Sequence, residues 1–234
     1  MFSSRLNLAA ASALAIRVAS AADVLAHFMV QNAYAYDIDQ WKTDMTAAQQ
    51  VGIDGFALNW IPPDCQSHLG WTEDRIDDAF EAASDMGFKI VHSFDMSYSE
   101  CNTYWNTSYM ADVLTKNAGK SATYRWNSNI LVTTYGGDQV DEYGNQFFQD
   151  LKDTMKARGN SISLSPALVG FSESAQDSPD TSASHLIDQY SSIDGFLNWQ
   201  AWPLTDSNIT CTPDQAFQSA LKKAGKTGPY IMGK

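Results

Sequence analysis

The chain has 234 residues, a formal net charge of −12 at pH 7 and an isoelectric point of about 4.5. A surface this acidic repels phosphate backbones, which excludes nucleic acid as an expected partner. After residue 21 no apolar run reaches the ~18–20 residues that a membrane span needs, so no membrane partner is expected either.

Residues 1–21 have the pattern of a secretory signal peptide. A short basic start precedes the apolar run LNLAAASALAI (6–16), and ASA (19–21) is a small-x-small cleavage site. The pattern predicts a signal peptide over 1–21 and a secreted, extracellular domain over 22–234. The alternative interpretation of the first segment is a disordered, alanine-rich leader.

Apolar runs of strand length alternate with segments of helical pattern along the rest of the chain. Runs that are apolar on both faces are typical of a parallel sheet buried between helices. The predicted strands are VLAHFMV (24–30), GFALNW (55–60), KIVHSFD (89–95), ILVTTY (130–135), ISLSPALVG (162–170) and GFLNW (195–199).

The segments between these runs carry helix start and stop signals. Asp37 is a candidate N-cap for a helix that Gly52 ends, and Thr72 caps a second helix that Gly87 ends. Pro213 is placed to begin the last helix, because proline is favoured in a first helical turn. Weaker patterns predict further helices over 109–116, 147–155 and 182–191.

The alternating order of strands and helices predicts an α/β domain with a parallel sheet. A doubly wound dinucleotide-binding sheet needs a glycine-rich loop after its first strand, and QNAYAYD (31–37) contains no glycine. The sequence therefore favours a (β/α)8 barrel, here incomplete, with about six to seven of the eight strand–helix units. An unclosed barrel has two unpaired edges, which predicts low stability or aggregation unless something covers them.

One phrase occurs twice in the chain, as IDGFALNW (53–60) and as IDGFLNW (193–199). In each copy an Asp lies at the start of the strand and Asn-Trp lies at its carboxyl end, where α/β barrels carry their sites. Both copies are therefore expected to place an Asn and a Trp at the rim of one cavity. Asp54 and Asp194 are expected at the opposite end of the barrel, with a structural role.

The cysteines and sequons are those of a secreted chain. Three cysteines in an oxidising compartment allow one disulfide and leave one thiol over. Cys65 and Cys101 each follow a predicted strand end closely, so their loops meet if the strands are neighbours, and we predict a disulfide between them. Cys211 is then free or paired outside the chain. Asn106 and Asn208 head Asn-x-Ser/Thr triplets and are candidate glycosylation sites.

Polar and aromatic residues near the strand ends are the candidate site residues. They are His27, Asn32, Asn59, Asp64, Asp95, Thr134, Asn198, Trp199 and Trp202. Several have a structural alternative: the histidine lies in an apolar run and fits a core position, and Asp64 fits a turn. The carboxylate of Asp95 ends a buried strand, where it is costly unless it is paired or used. Tryptophans at a barrel rim are flat apolar platforms that suit sugar rings.

No metal or cofactor is expected. The four histidines are scattered, and neither His-Glu-x-x-His nor Gly-x-Ser-x-Gly occurs. The chemistry left for such a site is carboxylate chemistry on a polar, uncharged substrate, and hydrolysis of a glycoside fits it.

Four segments together resemble glycoside hydrolase family 71, the fungal α-1,3-glucanases or mutanases. They are AHFMVQNAYAYDIDQWKTDMTAAQQVGIDGFALN (26–59), FKIVHSFDMS (88–97), LVTTYGGD (131–138) and DGFLNWQAWP (194–203). The resemblance runs in order from about residue 24 to the end of the chain. It implies a (β/α)8 barrel that hydrolyses α-1,3-glucan of the fungal cell wall, with inversion at the anomeric carbon.

The resemblance also implies an acid/base pair in a Trp-Asn-Asp-x-Gly-Glu-Ser segment, and no Asn-Asp-x-Gly-Glu occurs in these 234 residues. The segment DEYG (141–144) follows a different strand and has a different order. We therefore expect the chain as written to be inactive or nearly so, with Asp64 and Asp95 orienting substrate or water. The alternatives are a non-catalytic glucan-binding fragment and an incomplete gene model. The expected glucan-contacting residues are His27, Asn59, Asn198, Trp199 and Trp202.

Overall fold

The computed structural model describes residues 22–62, 70–97, 104–200 and 210–233. The strands are β1 Leu25–Met29, β2 Gly55–Trp60, β3 Lys89–Asp95, β4 Arg125–Trp126, β5 Asn129–Tyr135, β6 Ile162–Leu164, β7 Phe196–Asn198 and β8 Tyr230–Met232. The helices are α1 Ile38–Gln50, α2 Gly70–Met86, α3 Thr107–Asn117, α4 Asn145–Ala157, α5 Val169–Ser174, α6 Pro179–Gln189 and α7 Thr212–Lys223.

The parallel strands follow one another around the sheet in chain order. β1, β2, β3, β5 and β6 pair as neighbours, β7 pairs with β8, and the short β4 folds back antiparallel onto β5. The two sheets are joined because the backbone amides of Asp194 and Gly195 both donate to the carbonyl of Leu164 at 2.9 Å. The result confirms the predicted α/β barrel with part of its strands, and in the described residues β1 pairs only with β2.

The helix start predicted at Asp37 is confirmed, but the one predicted at Thr72 is wrong. Helix α2 begins at Gly70, so Thr72 lies inside its first turn, where its buried hydroxyl has no partner among the described residues. The side chain of Asp37 accepts a hydrogen bond from the amide of Gln40, and the side chain of Gln40 accepts one from the amide of Asp37. This capping box starts α1, which buries Trp41, Met45 and Ala48 against the sheet. The short β4 is not predicted by the sequence, and the strand predicted over 162–170 is too long, because β6 ends at Leu164 and helix α5 begins at Val169.

The two faces of the sheet bury different kinds of side chain. Since side chains alternate along a strand, registered residues of neighbouring strands share a face. The face toward the helices carries large apolar residues of the main core: Phe56, Leu58, Trp60, Ile90, Phe94, Ile130, Val132, Ile162 and Leu164. The face toward the barrel interior carries a mixture of polar and aliphatic residues that lie outside that core: Ala57, Asn59, Val91, Ser93, Leu131, Thr133 and Ser163.

In both copies of the repeated phrase, the Asp side chain binds the backbone of the neighbouring strand segment at the amino ends of β2 and β7. We call this contact the staple. Asp54 accepts the backbone amide of Val24 at 2.8 Å, and Asp194 accepts the backbone amide of Leu164 at 3.0 Å. Each carboxylate thus ties its strand to the strand that precedes it around the barrel. Asp194 is also within 2.7 Å of the ammonium group of Lys152. The structural role predicted for the two Asp residues is confirmed.

Replacing Asp194 with alanine is expected to lower the free energy of unfolding by about 1–3 kcal/mol, because the amide of Leu164 and the ammonium of Lys152 both lose a partner. Asp194→Asn keeps an oxygen for the amide and is expected to cost less. The exposed Asp188 of α6 provides a surface control, Asp188→Ala. Urea unfolding followed by tryptophan fluorescence measures the three values. Equal losses for Asp194→Ala and Asp188→Ala would contradict the staple.

Within the described residues, no helix has the length and apolar character needed to cross a membrane.

Candidate functional site

Trp199 lies inside the barrel between strands from opposite parts of the sheet. Its indole ring packs edge-on against His27 of β1 with ring centroids 4.8 Å apart, and against Tyr135 of β5 at 4.6 Å. The backbone amide of Trp199 donates to the hydroxyl of the buried Ser172, which holds the residue after β7 in place. The indole therefore forms an aromatic contact across the interior near the carboxyl ends of the strands.

The Asn-Trp pairs of the two repeated phrases face opposite ways. The second phrase is one residue shorter, and each residue removed from a strand moves the following side chains to the other face. Asn59 consequently points into the barrel, while Trp60 packs against the helix-side residues Phe94 and Trp105. In the second copy Trp199 is the residue inside. The expectation that each copy places both Asn and Trp at the rim is therefore wrong.

Asn198 is a structural residue and does not line the barrel interior, which corrects its prediction as a substrate contact. It is buried, and its amide nitrogen donates to the carboxylate of Asp214 in α7 at 3.0 Å. The same carboxylate oxygen accepts the hydroxyl of Tyr230 at 2.6 Å. Burial and the bond to Asp214 raise the pKa of Tyr230, so this phenol stays protonated and donating.

Asp95 ends β3 on the interior face, and its side chain is largely buried. The amide and the hydroxyl of Ser97 both donate to its Oδ1, at 3.0 and 2.7 Å. Burial raises the pKa of this carboxyl group, although the two hydrogen bonds from Ser97 oppose the shift. A carboxyl group with a raised pKa is better able to hold a proton or to bind a hydroxyl group than an exposed one.

His27 lies on β1, which pairs with β2 alone in the described residues, and much of its side chain is exposed next to Trp199. Despite that exposure, the surrounding protein excludes enough water to lower the pKa of the imidazole by desolvation. The ring is therefore neutral at pH 7, and a neutral imidazole offers one hydrogen-bond donor and one acceptor. The alternative interpretation, a histidine in the apolar core, does not hold for this position.

Tyr135 is the site residue that the sequence analysis missed. Thr134 was selected from the same strand end, but it lies on the helix side, in register with Phe94. Tyr135 is in register with Asp95 of β3, which faces the barrel interior, so Tyr135 faces the interior as well. Beyond Tyr135 a cleft of about 600 Å³ continues over the loop after β5, lined in part by Tyr104, Asp138 and Glu142.

Several sequence predictions lie outside the described residues. They are the signal peptide 1–21, Asp64, Trp202, the disulfide between Cys65 and Cys101, and the sequon at Asn208. Asn106 is described: it is exposed, and its side-chain oxygen accepts the amide of Tyr109 as the N-cap of α3. Cys211 is an exposed free thiol at the start of α7. Neither of these two observations tests glycosylation or the predicted disulfide.

Within 22–62, 70–97, 104–200 and 210–233, no group of three or more His, Cys, Asp or Glu residues is arranged to hold a metal ion. The chemistry that the described site supports is hydrogen bonding and aromatic stacking, with Asp95 as the carboxyl group on the interior face beside Tyr135.

Solved structures resemble this one at the level of fold. The GH99 endo-alpha-mannosidase from Bacteroides thetaiotaomicron gives a TM-score of 0.54 at 11% identity, over 84% of this chain and 56% of that chain. A GH5 cellulase from an Icelandic hot spring isolate gives 0.55 at 8% identity, over 89% and 64%. At identities this low, the similarity shows the fold alone. The similar fold agrees with an incomplete barrel.

Sequence comparison is more specific. Glucan endo-1,3-alpha-glucosidase agn1 of Schizosaccharomyces pombe is 30% identical over 210 residues, covering 87% of this chain and 44% of that protein. Mutanase Pc12g07500 of Penicillium rubens is 31% identical over 210 residues, covering 87% and 40%. The chain thus spans less than half the length of these relatives. The sequence model of glycosyl hydrolase family 71 matches residues 20–234. This match covers nearly the whole chain, and the chain belongs to glycosyl hydrolase family 71.

Proposed function

We propose that these residues form the α-1,3-glucan-binding part of a secreted, extracellular glycoside hydrolase that acts on cell-wall or related glucan. The observation that carries the proposal is the indole of Trp199, held between His27 and Tyr135 in the barrel interior. The apolar face of a glucose ring packs well on an indole. The neighbouring imidazole and phenol, with the carboxyl group of Asp95, provide hydrogen-bonding groups for its hydroxyls.

The linkage in this proposal comes from the names of two relatives, a glucan endo-1,3-alpha-glucosidase and a mutanase. The extracellular location rests on the predicted signal peptide, and a third relative from Schizosaccharomyces pombe is named as an ascus wall endo-1,3-alpha-glucanase. Asp64 and Trp202 stay proposed glucan contacts, and Cys65–Cys101 stays the proposed disulfide. Asn106 and Asn208 stay proposed glycosylation sites.

We further propose that these 234 residues alone bind glucan without hydrolysing it at a rate normal for a hydrolase. The acid/base segment that the family resemblance implies does not occur in them. General acid and general base catalysis each contribute factors of about 10²–10⁴, so a site without the pair retains little activity. Asp95 then orients the bound sugar or a water molecule and does not act as one member of a pair.

A pull-down on insoluble α-1,3-glucan tests binding, with released reducing sugar measured in the same tubes. Trp199→Ala is expected to weaken retention about 30-fold, since truncating a central aromatic anchor typically costs about 2 kcal/mol or more. Trp126→Ala is the matched control, because Trp126 is a half-exposed tryptophan whose indole donates to the carbonyl of Thr227 at the other end of the barrel.

Equal retention of Trp199→Ala and the unmutated chain would reject the aromatic platform. Absence of retention for the unmutated chain would reject glucan binding altogether. Sugar release well above a protein-free blank would show that these residues contain a working catalytic pair, which contradicts the second proposal.

A further inference from the structure

Three buried polar side chains lie side by side on the interior face of the sheet. Asn59 of β2 is in register with Ser93 of β3, which is in register with Thr133 of β5. We call these three residues the polar row. Each is at most 2% exposed. The amide nitrogen of Asn59 and the hydroxyls of Ser93 and Thr133 have no hydrogen-bond partner among the described residues.

Other buried polar atoms of this sheet also have no described partner, such as those of His92 and Thr134, but the polar row gathers three of them side by side on the interior face. A buried polar atom without a partner costs about 1–3 kcal/mol, and most such atoms in native structures are paired. The next residue around the same face shows the ordinary outcome, because the hydroxyl of Ser165 donates to the carbonyl of Pro229 at 2.9 Å. The polar row therefore presents three neighbouring groups whose hydrogen-bonding capacity the described protein leaves unused.

The polar row lies directly beneath the rim formed by Asp95 and Tyr135. These two residues follow Ser93 and Thr133 by two positions on the same strands, so they share the interior face at a distance of about 6.6 Å along the strand. Tyr135 contacts Trp199. The rim is thus one residue pair above the polar row. The polar atoms of the row are buried beneath it, so a sugar seated at the rim has to displace part of the rim to reach them.

We propose that the polar row is a hydroxyl-binding floor for the sugar that Trp199 holds. The amide nitrogen of Asn59 donates, while the hydroxyls of Ser93 and Thr133 both donate and accept, which matches the mixed capacity of sugar hydroxyls. A neutral row also suits an uncharged ligand, since no ion has to be desolvated. The inference rests on the proposed glucan binding. It adds the side chains that form hydrogen bonds with the hydroxyl groups of the bound sugar.

Two adjacent threonines of β5 provide a matched pair for the test. Thr133 faces the interior and Thr134 faces the helices, and both hydroxyls are buried without a described partner. Thr→Val removes the hydroxyl with little change of shape at either position. Both variants are therefore expected to keep or slightly raise the thermal stability of the chain. Only Thr133→Val removes a group that the proposal assigns to the ligand.

Calorimetric titration with an α-1,3-linked glucose tetrasaccharide measures the effect. Thr133→Val and Ser93→Ala are each expected to weaken binding about three- to tenfold, which is the range for loss of one neutral hydrogen bond. Thr134→Val is expected to bind as the unmutated chain does.

The outcomes separate the two proposals. If the unmutated chain binds and Thr133→Val binds equally well, the hydroxyl-binding floor is wrong while glucan binding stands. A lower melting temperature for Thr133→Val with unchanged affinity would assign the row to internal water, and that also overturns the inference. If the unmutated chain does not bind the tetrasaccharide or insoluble glucan, the proposed function itself fails.

Discussion

Gly195→Ala is expected to lower the free energy of unfolding by about 3 kcal/mol, near the upper end for forcing extra volume into a packed site. A Cβ atom on Gly195 would lie 2.0 Å from the carbonyl oxygen of Pro229 and 2.4 Å from the hydroxyl of Ser165. The first contact is with backbone of the segment that leads into β8, so β7 and β8 have to separate to accept a methyl group. Urea unfolding followed by tryptophan fluorescence measures the loss.

Gly55 provides a second copy of the same experiment. A Cβ on Gly55 would lie 2.6 Å from the carbonyl oxygen of Lys89, which again belongs to the next strand around the barrel. Gly55→Ala is expected to be destabilising in the same way. Gly119→Ala is the control, because no atom lies within 4 Å of its Cβ position, and its effect is expected to be within ~0.5 kcal/mol. If Gly195→Ala and Gly119→Ala unfold at the same urea midpoint, the predicted clash between the Cβ of residue 195 and the carbonyl oxygen of Pro229 is wrong.

Acid is expected to destabilise the fold through His92. This histidine is fully buried between Phe80 and Phe94 on the helix side of β3, and neither ring nitrogen has a described hydrogen-bond partner. Burial lowers the pKa of His92 from 6.5 to about 3. Between these two values the unfolded chain binds the proton and the folded chain does not. The titration of His92 therefore leaves the free energy of unfolding unchanged above about pH 6.5. It lowers this free energy as the pH drops toward 3, by on the order of 5 kcal/mol.

The difference between His92→Phe and the unmutated chain isolates this contribution, because Asp95, whose pKa is raised, contributes with the opposite sign in both proteins. We expect the free energy of unfolding of His92→Phe to depend much less on pH from 6.5 to 4. His92→Leu is the second variant in case the larger ring does not fit, and the exposed His185→Gln is the control that keeps the original slope. Parallel stability curves for His92→Phe and the unmutated chain would contradict the prediction.

The sequence by itself determined the architecture. Apolar runs and capping residues predicted the strands and most of the helices because both signals are local: a cap such as Asp37 acts within one turn, and a strand buried between helices is a short run of mostly apolar residues. The four quoted segments were sufficient to identify the family, which the family match confirms. The structural role of Asp54 and Asp194 was also predictable, since their position at the strand starts follows from chain order alone.

Only the tertiary structure decided which strand-end residues meet. Asn59 and Asn198 occupy matching places in two nearly identical phrases, yet Asn59 faces the barrel interior while Asn198 binds Asp214 of α7. The physical reason is that side chains along a strand alternate between the two faces of the sheet. The second phrase has one residue fewer before its Asn-Trp pair, so its Asn and Trp point to the faces opposite to those of the first pair. Tyr135 was missed, and Thr134 selected, for the same reason. Which side chains share the interior depends on register, and register is fixed by pairing between strands far apart in the chain.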